Sequence, residues 1–168
     1  ANAFGSTNLS VFLNTGNGSF SGPTQYALSN HTQDVELADL DADGDLDAVV
    51  AGYGDNRLWI LVNDGIGGFT AQSIDAGGQN PGYLATGDID ADGDVDVALE
   101  VSGNAGTDAV IRLFLNDGDG NLTAGTAYDT QGFVRGVLLE DTDDDGNADL
   151  IFNNFLGPHN NFDGTTTS

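Results

Sequence analysis

Three short stretches of the sequence place acidic residues where they could bind a hard metal ion. Each has the pattern D-x-D-x-D-G-x-x-D, beginning at Asp39, Asp88 or Asp141. Carboxylates at alternate positions can converge on one point if the chain curls, and the glycine permits the positive φ that such a curl requires. Without a counter-ion the crowded carboxylates repel one another, and a bound cation removes that penalty. The spacing therefore predicts one cation site in each stretch.

The ligand chemistry of these Asp loops favours calcium. They offer only oxygen ligands and contain no His or Cys, which argues against zinc and copper. The number of carboxylates disfavours Mg²⁺, because that ion prefers to keep its waters. At the twelfth position, where an EF-hand has its closing glutamate, all three copies carry an apolar residue. The ninth residue, which is Asp47, Asp96 or Asp149, must therefore supply the closing carboxylate.

The net charge of the chain narrows the classes of partner. Its formal charge is −24, from 27 acidic and three basic residues. Nucleic acid and anionic membrane surfaces would repel such a chain, and no apolar run is long enough to insert into a bilayer. Fifteen of the acidic residues lie in the Asp loops, so the charge is mostly local. Solubilising Asp-Gly turns would be the simpler explanation, but neither charge nor turn formation requires the same alternate spacing three times.

The Asp loops belong to a longer internal repeat. They are separated by 49 and 53 residues, and a second motif keeps the same offsets, as NTGNGSF, NDGIGGF and NDGDGNL. A period near 50 is typical of propellers and other repeat arrays. The second motif begins at Asn14, Asn63 and Asn116, and we interpret these residues as turn formers that need a positive φ.

Alternating polarity within one repeat predicts four short strands. In residues 82–130 these are GYLATGD before the Asp loop, DVALEVS after it, then AVIRLFLN and LTAGTAYDT. Four antiparallel strands per unit is the arrangement of a propeller blade. The sequence therefore predicts an all-β protein with about three blades' worth of chain, and with each Asp loop between the first and second strands of its blade.

The repeat also predicts the division of the chain. Residues 39–87 and 88–140 are two units, and 1–38 and 141–152 are partial blades whose strands complement each other. Residues 153–168 form a tail, predicted to be a donor strand or a linker. Three blades do not obviously close a ring, since propellers typically have about four to eight. The remaining blades could come from a longer chain, from associating copies, or from a head-to-tail fibre in which the tail donates a strand.

The combination of loop, apolar strand, V-x-L-N strand and G-x-G-x-F turn resembles the FG-GAP/VCBS repeat, the blade of integrin-α-type β-propellers. The resemblance covers residues 1–155. It implies that the first, third, fifth and ninth loop residues bind calcium through their side chains and the seventh through its carbonyl. The implied ligands are Asp39, Asp41, Asp43, Asp45 and Asp47; Asp88, Asp90, Asp92, Asp94 and Asp96; and Asp141, Asp143, Asp145, Asn147 and Asp149.

The resemblance implies an extracellular or cell-surface module with a structural or adhesive role, stabilised by about three calcium ions. The number of blades and the spare tail predict that it self-associates as a closed ring or a filament. Other partners would be further propeller blades, a glycan or a cell-surface protein. The alternative is a non-catalytic or partial propeller of a larger polysaccharide-active enzyme or lectin. We do not expect an enzyme within this chain, because its motifs supply no set of nucleophile, base and oxyanion donors.

Overall fold

The computed structural model of the protein describes residues 8–28, 31–102 and 109–155. These ranges contain fourteen β-strands and no helix that could cross a membrane. The strands are β1 (Asn8–Val11), β2 (Asn14–Gly16), β3 (Ser19–Phe20), β4 (Thr24–Ala27), β5 (Val35–Ala38), β6 (Asp47–Gly52), β7 (Arg57–Asn63), β8 (Phe69–Asp75), β9 (Leu84–Gly87), β10 (Asp96–Val101), β11 (Val110–Leu115), β12 (Thr123–Asp129), β13 (Phe133–Glu140) and β14 (Asp149–Phe155).

Two complete four-stranded sheets form the centre of the molecule. Strands β5 to β8 make the first blade and β9 to β12 the second, and in both sheets each strand pairs antiparallel with the next along the chain. The predicted fold class, all-β with blades of four antiparallel strands, is confirmed. The first strands of successive units, β5, β9 and β13, lie next to one another, as expected for strands that surround a propeller axis.

Three further strand pairs of the described residues lie outside these blades; β2 pairs with β3 in a hairpin, and the other two pairs flank the blades. At one end, β1 pairs with β4, and we call this the outer pair because β1 and β4 correspond to the third and fourth strands of a blade. At the other end, β13 pairs with β14, the inner pair, which corresponds to the first and second strands. Within one chain the two pairs are in separate sheets. Strand β14 includes residues 153–155 of the predicted tail, whose remainder lies outside the described residues.

The hydrophobic core lies between the blades. Strands β6 and β10 are buried along their whole length because both of their faces are covered. Val49 and Ile60 of the first blade contact a cluster that includes Phe114 of the second, and Ile111 on the far face of the second blade packs against Val137 of the inner pair. Burying each large apolar side chain stabilises the fold by roughly 1.5–3 kcal/mol. The apolar side chains on the two faces of each blade thus pack neighbouring blades against one another.

The two blades differ in one connection. Between the second and third strands the first blade has residues 53–56, whereas the second has residues 102–109. This difference of four residues accounts for the change in repeat length from 49 to 53. This connection joins the strand ends that lie opposite the Asp loops. The Asp loops themselves have the same length in every unit.

Candidate metal centre

Each Asp loop joins the first strand of a unit to the second. The loops occupy residues 39–46, 88–95 and 141–148, between β5 and β6, β9 and β10, and β13 and β14. The sixth residue is a glycine in every copy, with φ of 94°, 97° and 90° in chain order, so the predicted positive φ is confirmed. The fourth residue also has a positive φ, although it is Ala, Ala and Asp, and the sequence pattern did not predict this.

Backbone N–H groups orient the carboxylates in the same way in all three loops. In the first, Gly44 donates to Oδ2 of Asp39 at 3.0 Å and Asp45 donates to Oδ1 of Asp43 at 2.9 Å. The corresponding bonds are Gly93 to Asp88 (3.1 Å) and Asp94 to Asp92 (3.0 Å) in the second loop, and Gly146 to Asp141 (2.8 Å) and Asn147 to Asp145 (2.9 Å) in the third. The curl predicted from the spacing is therefore held by the loop's own backbone.

The structure brings carboxylates together in each loop. One oxygen from each of three residues lies within 4.8 Å of the others in every group. The groups are Asp39, Asp41 and Asp43; Asp88, Asp90 and Asp96; and Asp141, Asp143 and Asp145. Of the other proposed side-chain ligands, Asp92 in the second loop and the ninth residues Asp47 and Asp149 are outside these groups.

Several of these carboxylate oxygens lack a partner within the protein. Among the described residues, Oδ1 of Asp39, Asp41 and Asp88 is buried and accepts no hydrogen bond. Leaving a charged group's oxygen buried and unpaired is costly, and the convergence of several such groups adds like-charge repulsion. A hard divalent cation would satisfy both requirements. The residues present therefore fit calcium, which binds through oxygen at flexible loops of this kind.

The electrostatics of the loops agree with that fit. Desolvation raises the pKa of Asp41 above its ordinary value, and the nearby charges of Asp47 and Asp43 raise it further. Desolvation likewise raises the pKa of Asp94 and Asp96, with the other loop carboxylates adding to the effect. In the first two loops the fold thus holds these three carboxylates where their charged forms are disfavoured.

The ninth residue of the first loop connects three strands. Asp47 is fully buried, and its Oδ2 accepts the N–H of Leu40 at 3.0 Å. Its Oδ1 accepts the N–H of Asn63, at the end of the third strand, at 2.8 Å. The side-chain amide of Asn63 in turn donates to the carbonyl of Leu46 at 3.0 Å. The Asp loop is therefore fastened to the third strand by both the backbone and the side chain of one asparagine.

The second loop repeats this arrangement. Asp96 accepts the N–H groups of Ile89 and Asn116, both at 2.8 Å, and the Asn116 amide donates to the carbonyl of Val95 at 3.1 Å. The three asparagines Asn14, Asn63 and Asn116 form their turns as predicted, because the Oδ1 of each accepts an N–H of the residues that follow it. The prediction that they have a positive φ is wrong. Their recurrence at the same offsets as the Asp loops was the signal of the actual role.

The seventh residue directs its side chain at the turn that follows the third strand. A Cβ atom placed on Gly118 would lie 2.7 Å from Oδ2 of Asp94, and one placed on Gly65 would meet Oδ2 of Asp45. In the third loop the side chain of Asn147 donates to Oδ1 of Asp145 at 2.7 Å. The side chains of Asp45 and Asp94 therefore lie close to the glycines of that turn, and the side chain of Asn147 has a partner within its own loop.

The third loop lacks the asparagine connection within the described residues. Asp149 accepts hydrogen bonds from the backbone N–H and the hydroxyl of Thr142, and these bonds lower its pKa. However, β14 pairs only with β13 in the described part of the chain, so no third strand brings an asparagine to Asp149. Its loop is correspondingly more exposed than the other two.

Blades of four antiparallel strands, each with an acidic loop after its first strand, define a β-propeller repeat protein. The FG-GAP-like repeat family matches residues 2–50 and 39–99, which together make up more than half of the chain. The chain therefore belongs to the FG-GAP-like repeat family. The two matches share the first Asp loop, and the second match extends to the end of the second loop's D-x-D-x-D-G-x-x-D motif. No curated protein and no solved structure matches the chain.

Proposed function

We propose that this protein is an extracellular calcium-binding β-propeller module with a structural or adhesive role. The observation that carries the proposal is the set of buried, unpartnered oxygens of Asp39, Asp41 and Asp88 at the centre of similarly folded loops. Family membership supports it, because the matched residues include the first two loops entirely. The third loop has the same backbone hydrogen bonds and the same convergence of carboxylates.

A cation in each loop would act on the fold rather than on a substrate. The proposed ligands are the side chains of the first, third, fifth and ninth residues and the backbone carbonyl of the seventh. In the first two units the carboxylate of the ninth residue also accepts a hydrogen bond from the backbone N–H of Asn63 or Asn116. Binding would neutralise the clustered carboxylates and fix the loop that joins three strands of a blade. Because the unfolded chain has no such site, binding calcium would stabilise the folded protein.

The extracellular location follows from the affinity expected of such sites. Calcium sites of extracellular modules typically have dissociation constants of about 10⁻⁴–10⁻³ M, so they are occupied where calcium is abundant. The net charge of −24 would also be partly neutralised by bound calcium. An adhesive role requires a partner, which could be further propeller blades, another copy of the chain or a cell-surface protein.

Calcium titration calorimetry and thermal unfolding test the proposal together. We expect about three bound calcium ions per chain and a melting temperature that falls by many degrees in excess EGTA. Asp39→Asn and Asp88→Asn should each remove one ion from the stoichiometry. Asp119→Asn, which removes an exposed carboxylate outside the Asp loops, is the matched control and should leave three. An unchanged melting curve in EGTA and no heat of binding would refute the calcium function.

A polar pocket favours the lectin alternative as a second candidate. It has a volume of about 250 Å³ and lies at the strand ends opposite the Asp loops. Tyr53, Tyr83 and Asn80 line it together with Glu100 and Arg135. Aromatic faces beside amide and charged groups suit a sugar ring and its hydroxyls. A glycan array is the direct test: binding lost in Tyr83→Ala would support this function, and no signal above background would count against it.

A further inference from the structure

The two ends of the array present unpaired strand edges of complementary kinds. In the first blade, β6 pairs with β5 on one side and β7 on the other. The corresponding strand of the inner pair, β14, pairs only with β13 in the described residues, and β1 of the outer pair pairs only with β4. An exposed strand edge is a template for pairing with another chain. Among the described residues the inner pair has no third or fourth strand, and these are the strands that the outer pair contains.

The apolar faces beside the inner pair are exposed where the repeat is elsewhere buried. Ile151 occupies the position of Ala98 in the preceding unit, and the exposed fractions of the two side chains are 41% and 0%. Leu138 likewise corresponds to Ala85, with exposed fractions of 58% and 6%. In the second blade these positions are covered by the next unit. The inner pair therefore displays large apolar side chains at positions that the repeat normally covers with a blade.

The outer pair and the first blade show the same disparity. Phe12 corresponds to Leu61 and Phe114, both of which are fully buried, yet 52% of Phe12 is exposed. Val35 is 45% exposed, whereas its counterpart Leu84 is 2% exposed. Val35 lines a groove of about 530 Å³ beside β1, at the place where the first two strands of that unit would lie. In the part of the chain that the structure describes, no inner pair covers this end.

The third Asp loop is also missing one element. In both complete blades, the asparagine at the end of the third strand donates its N–H to the ninth Asp of the loop. The asparagine of the outer pair that corresponds to Asn63 is Asn14, which is exposed. Within the described ranges of the chain, the third Asp loop has no such asparagine and Asn14 has no such loop. The two lie at opposite ends of the array of blades. They would meet if one end of a chain joined the other end of a second chain.

We propose that a second copy of this chain completes the blade by pairing its β1 with β14. The inference rests on the proposed calcium function, since it places Asn14 of the second copy against the third calcium loop. The register of β10 with β11 carries over directly, so that Val11 of one copy lies opposite Ile151 of the other, and Phe12 opposite Leu150. Phe12 then enters an open groove of about 500 Å³ beside β14.

Two copies joined at both ends give a closed ring. The described residues contain two complete blades and two complementary halves, so two copies joined in this way would form six blades. This number is within the range of about four to eight that propellers typically have. Assembly depends on calcium for two reasons: the chains carry a formal charge of −24 each, and the third loop lies at the junction. Closure also removes the two free strand edges.

Light scattering in millimolar calcium and again in EGTA tests the assembly. We expect about twice the chain mass of 17.3 kDa with calcium and a single chain with EGTA. Phe12→Asp and Ile151→Asp each place a charge at one proposed junction surface, and each variant alone should be monomeric in calcium. Both side chains are exposed in the single chain, so the variants should fold. Ile66→Asp is the matched control, because Ile66 is exposed in the turn between β7 and β8 and belongs to neither junction strand, and this variant should assemble like the wild type.

A mixture of the two variants identifies which surfaces meet. The Phe12→Asp copy retains an intact inner pair and the Ile151→Asp copy an intact outer pair, so an equimolar mixture should form a one-to-one dimer. Failure of the mixture to associate, with the wild type dimeric, would overturn the β1–β14 junction. A wild-type monomer that still binds calcium and is stabilised by it would overturn the assembly and leave the calcium function standing. Absence of calcium binding would instead refute the calcium function itself.

Discussion

The side-chain amide of Asn116 lies 2.8 Å from the carbonyl oxygen of Leu40, a residue 76 positions earlier in the Asp loop of the preceding blade. The same amide also contacts the carbonyl of Val95 in its own blade. One buried asparagine therefore links the Asp loops of two adjacent blades. This contact couples the units through their Asp loops, in addition to the apolar core between the sheets.

Asn116→Ala tests this link. The substitution leaves the two carbonyls without their donor, one of them in a buried environment, and should lower the free energy of unfolding by about 2–3 kcal/mol. Asn63→Ala is the matched variant, because its amide reaches only one exposed carbonyl, and should cost about 1 kcal/mol. Urea unfolding in saturating calcium measures both. Equal losses for the two variants would show that the link between blades contributes no stability.

The effect of Asp41→Asn on the melting temperature should have opposite signs without and with calcium. In EGTA it removes a charge whose pKa is raised by desolvation and by neighbouring carboxylates, so the variant should melt at a higher temperature than the wild type. In calcium it removes a ligand, so the variant should melt at a lower temperature. Differential scanning calorimetry in the two buffers measures the crossover. A variant that melts below the wild type in both buffers would contradict the repulsion inferred for the calcium-free loop.

Gly118→Ala should destabilise the second blade more than its backbone conformation alone explains. Gly118 has φ of 78°, and an added Cβ would also lie 2.7 Å from Oδ2 of Asp94. Gly18→Ala is the control, because Gly18 has φ of 75° and no atom within 4 Å of the added Cβ. We expect a loss of about 1 kcal/mol for the control and about 2–3 kcal/mol for Gly118→Ala, measured by urea unfolding.

The calcium titration of Gly118→Ala gives a second measurement, because the displaced Asp94 belongs to the second loop. The Gly118→Ala variant should bind calcium more weakly at one of the three proposed sites, while Gly18→Ala should bind calcium like the wild type. Equal destabilisation of both variants, with unchanged binding, would show that the close approach of Gly118 to Asp94 has no consequence.

Glu100 should make the stability fall between pH 4.5 and 7. Burial raises its pKa from 4.5 to about 7, despite hydrogen bonds from the Tyr83 N–H and the Ser102 hydroxyl and the nearby charge of Arg135. Below pH 4.5 the carboxyl is protonated in both the folded and the unfolded chain. As the pH rises, the unfolded chain releases the proton first, so the free energy of unfolding falls by on the order of 2 kcal/mol.

Glu100→Gln isolates this contribution because it keeps an acceptor of the same shape without the charge. The free energy of unfolding of the variant, relative to that of the wild type, should rise by about 2 kcal/mol from pH 5 to pH 8. The carboxylates of the Asp loops titrate in both proteins, so their effect cancels in the difference. A difference that does not change with pH would show that Glu100 titrates normally.

The fold was predictable because its determinants are periodic. The alternation within DVALEVS and AVIRLFLN predicts β10 and β11, and the two offsets of the Asp and Asn motifs predict that the units are equivalent. The curl of each loop was predictable from its glycine. These features depend on local backbone preference and on burial, both of which leave a pattern in a single sequence.

The roles of the asparagines were not predictable in the same way. The positions of Asn63 and Asn116 suggested a turn, because asparagine favours turns and the glycines beside them have a positive φ. Their side-chain oxygens do accept N–H groups of that turn, but their amide groups also donate to carbonyls of the Asp loops, which no local rule relates to them. The positive φ of Ala42 and Ala91 also arises from the closing of the loop as a whole, since alanine alone disfavours that conformation.

The connection of residues 102–109, four residues longer than its counterpart 53–56, has a consequence for engineering. Both versions precede third strands that pair in the same register with their neighbours, so the blade tolerates additional sequence at this point. A foreign peptide grafted between Val101 and Val110 would join strand ends that lie opposite the Asp loops. In the proposed six-bladed ring it would be displayed twice, once per chain.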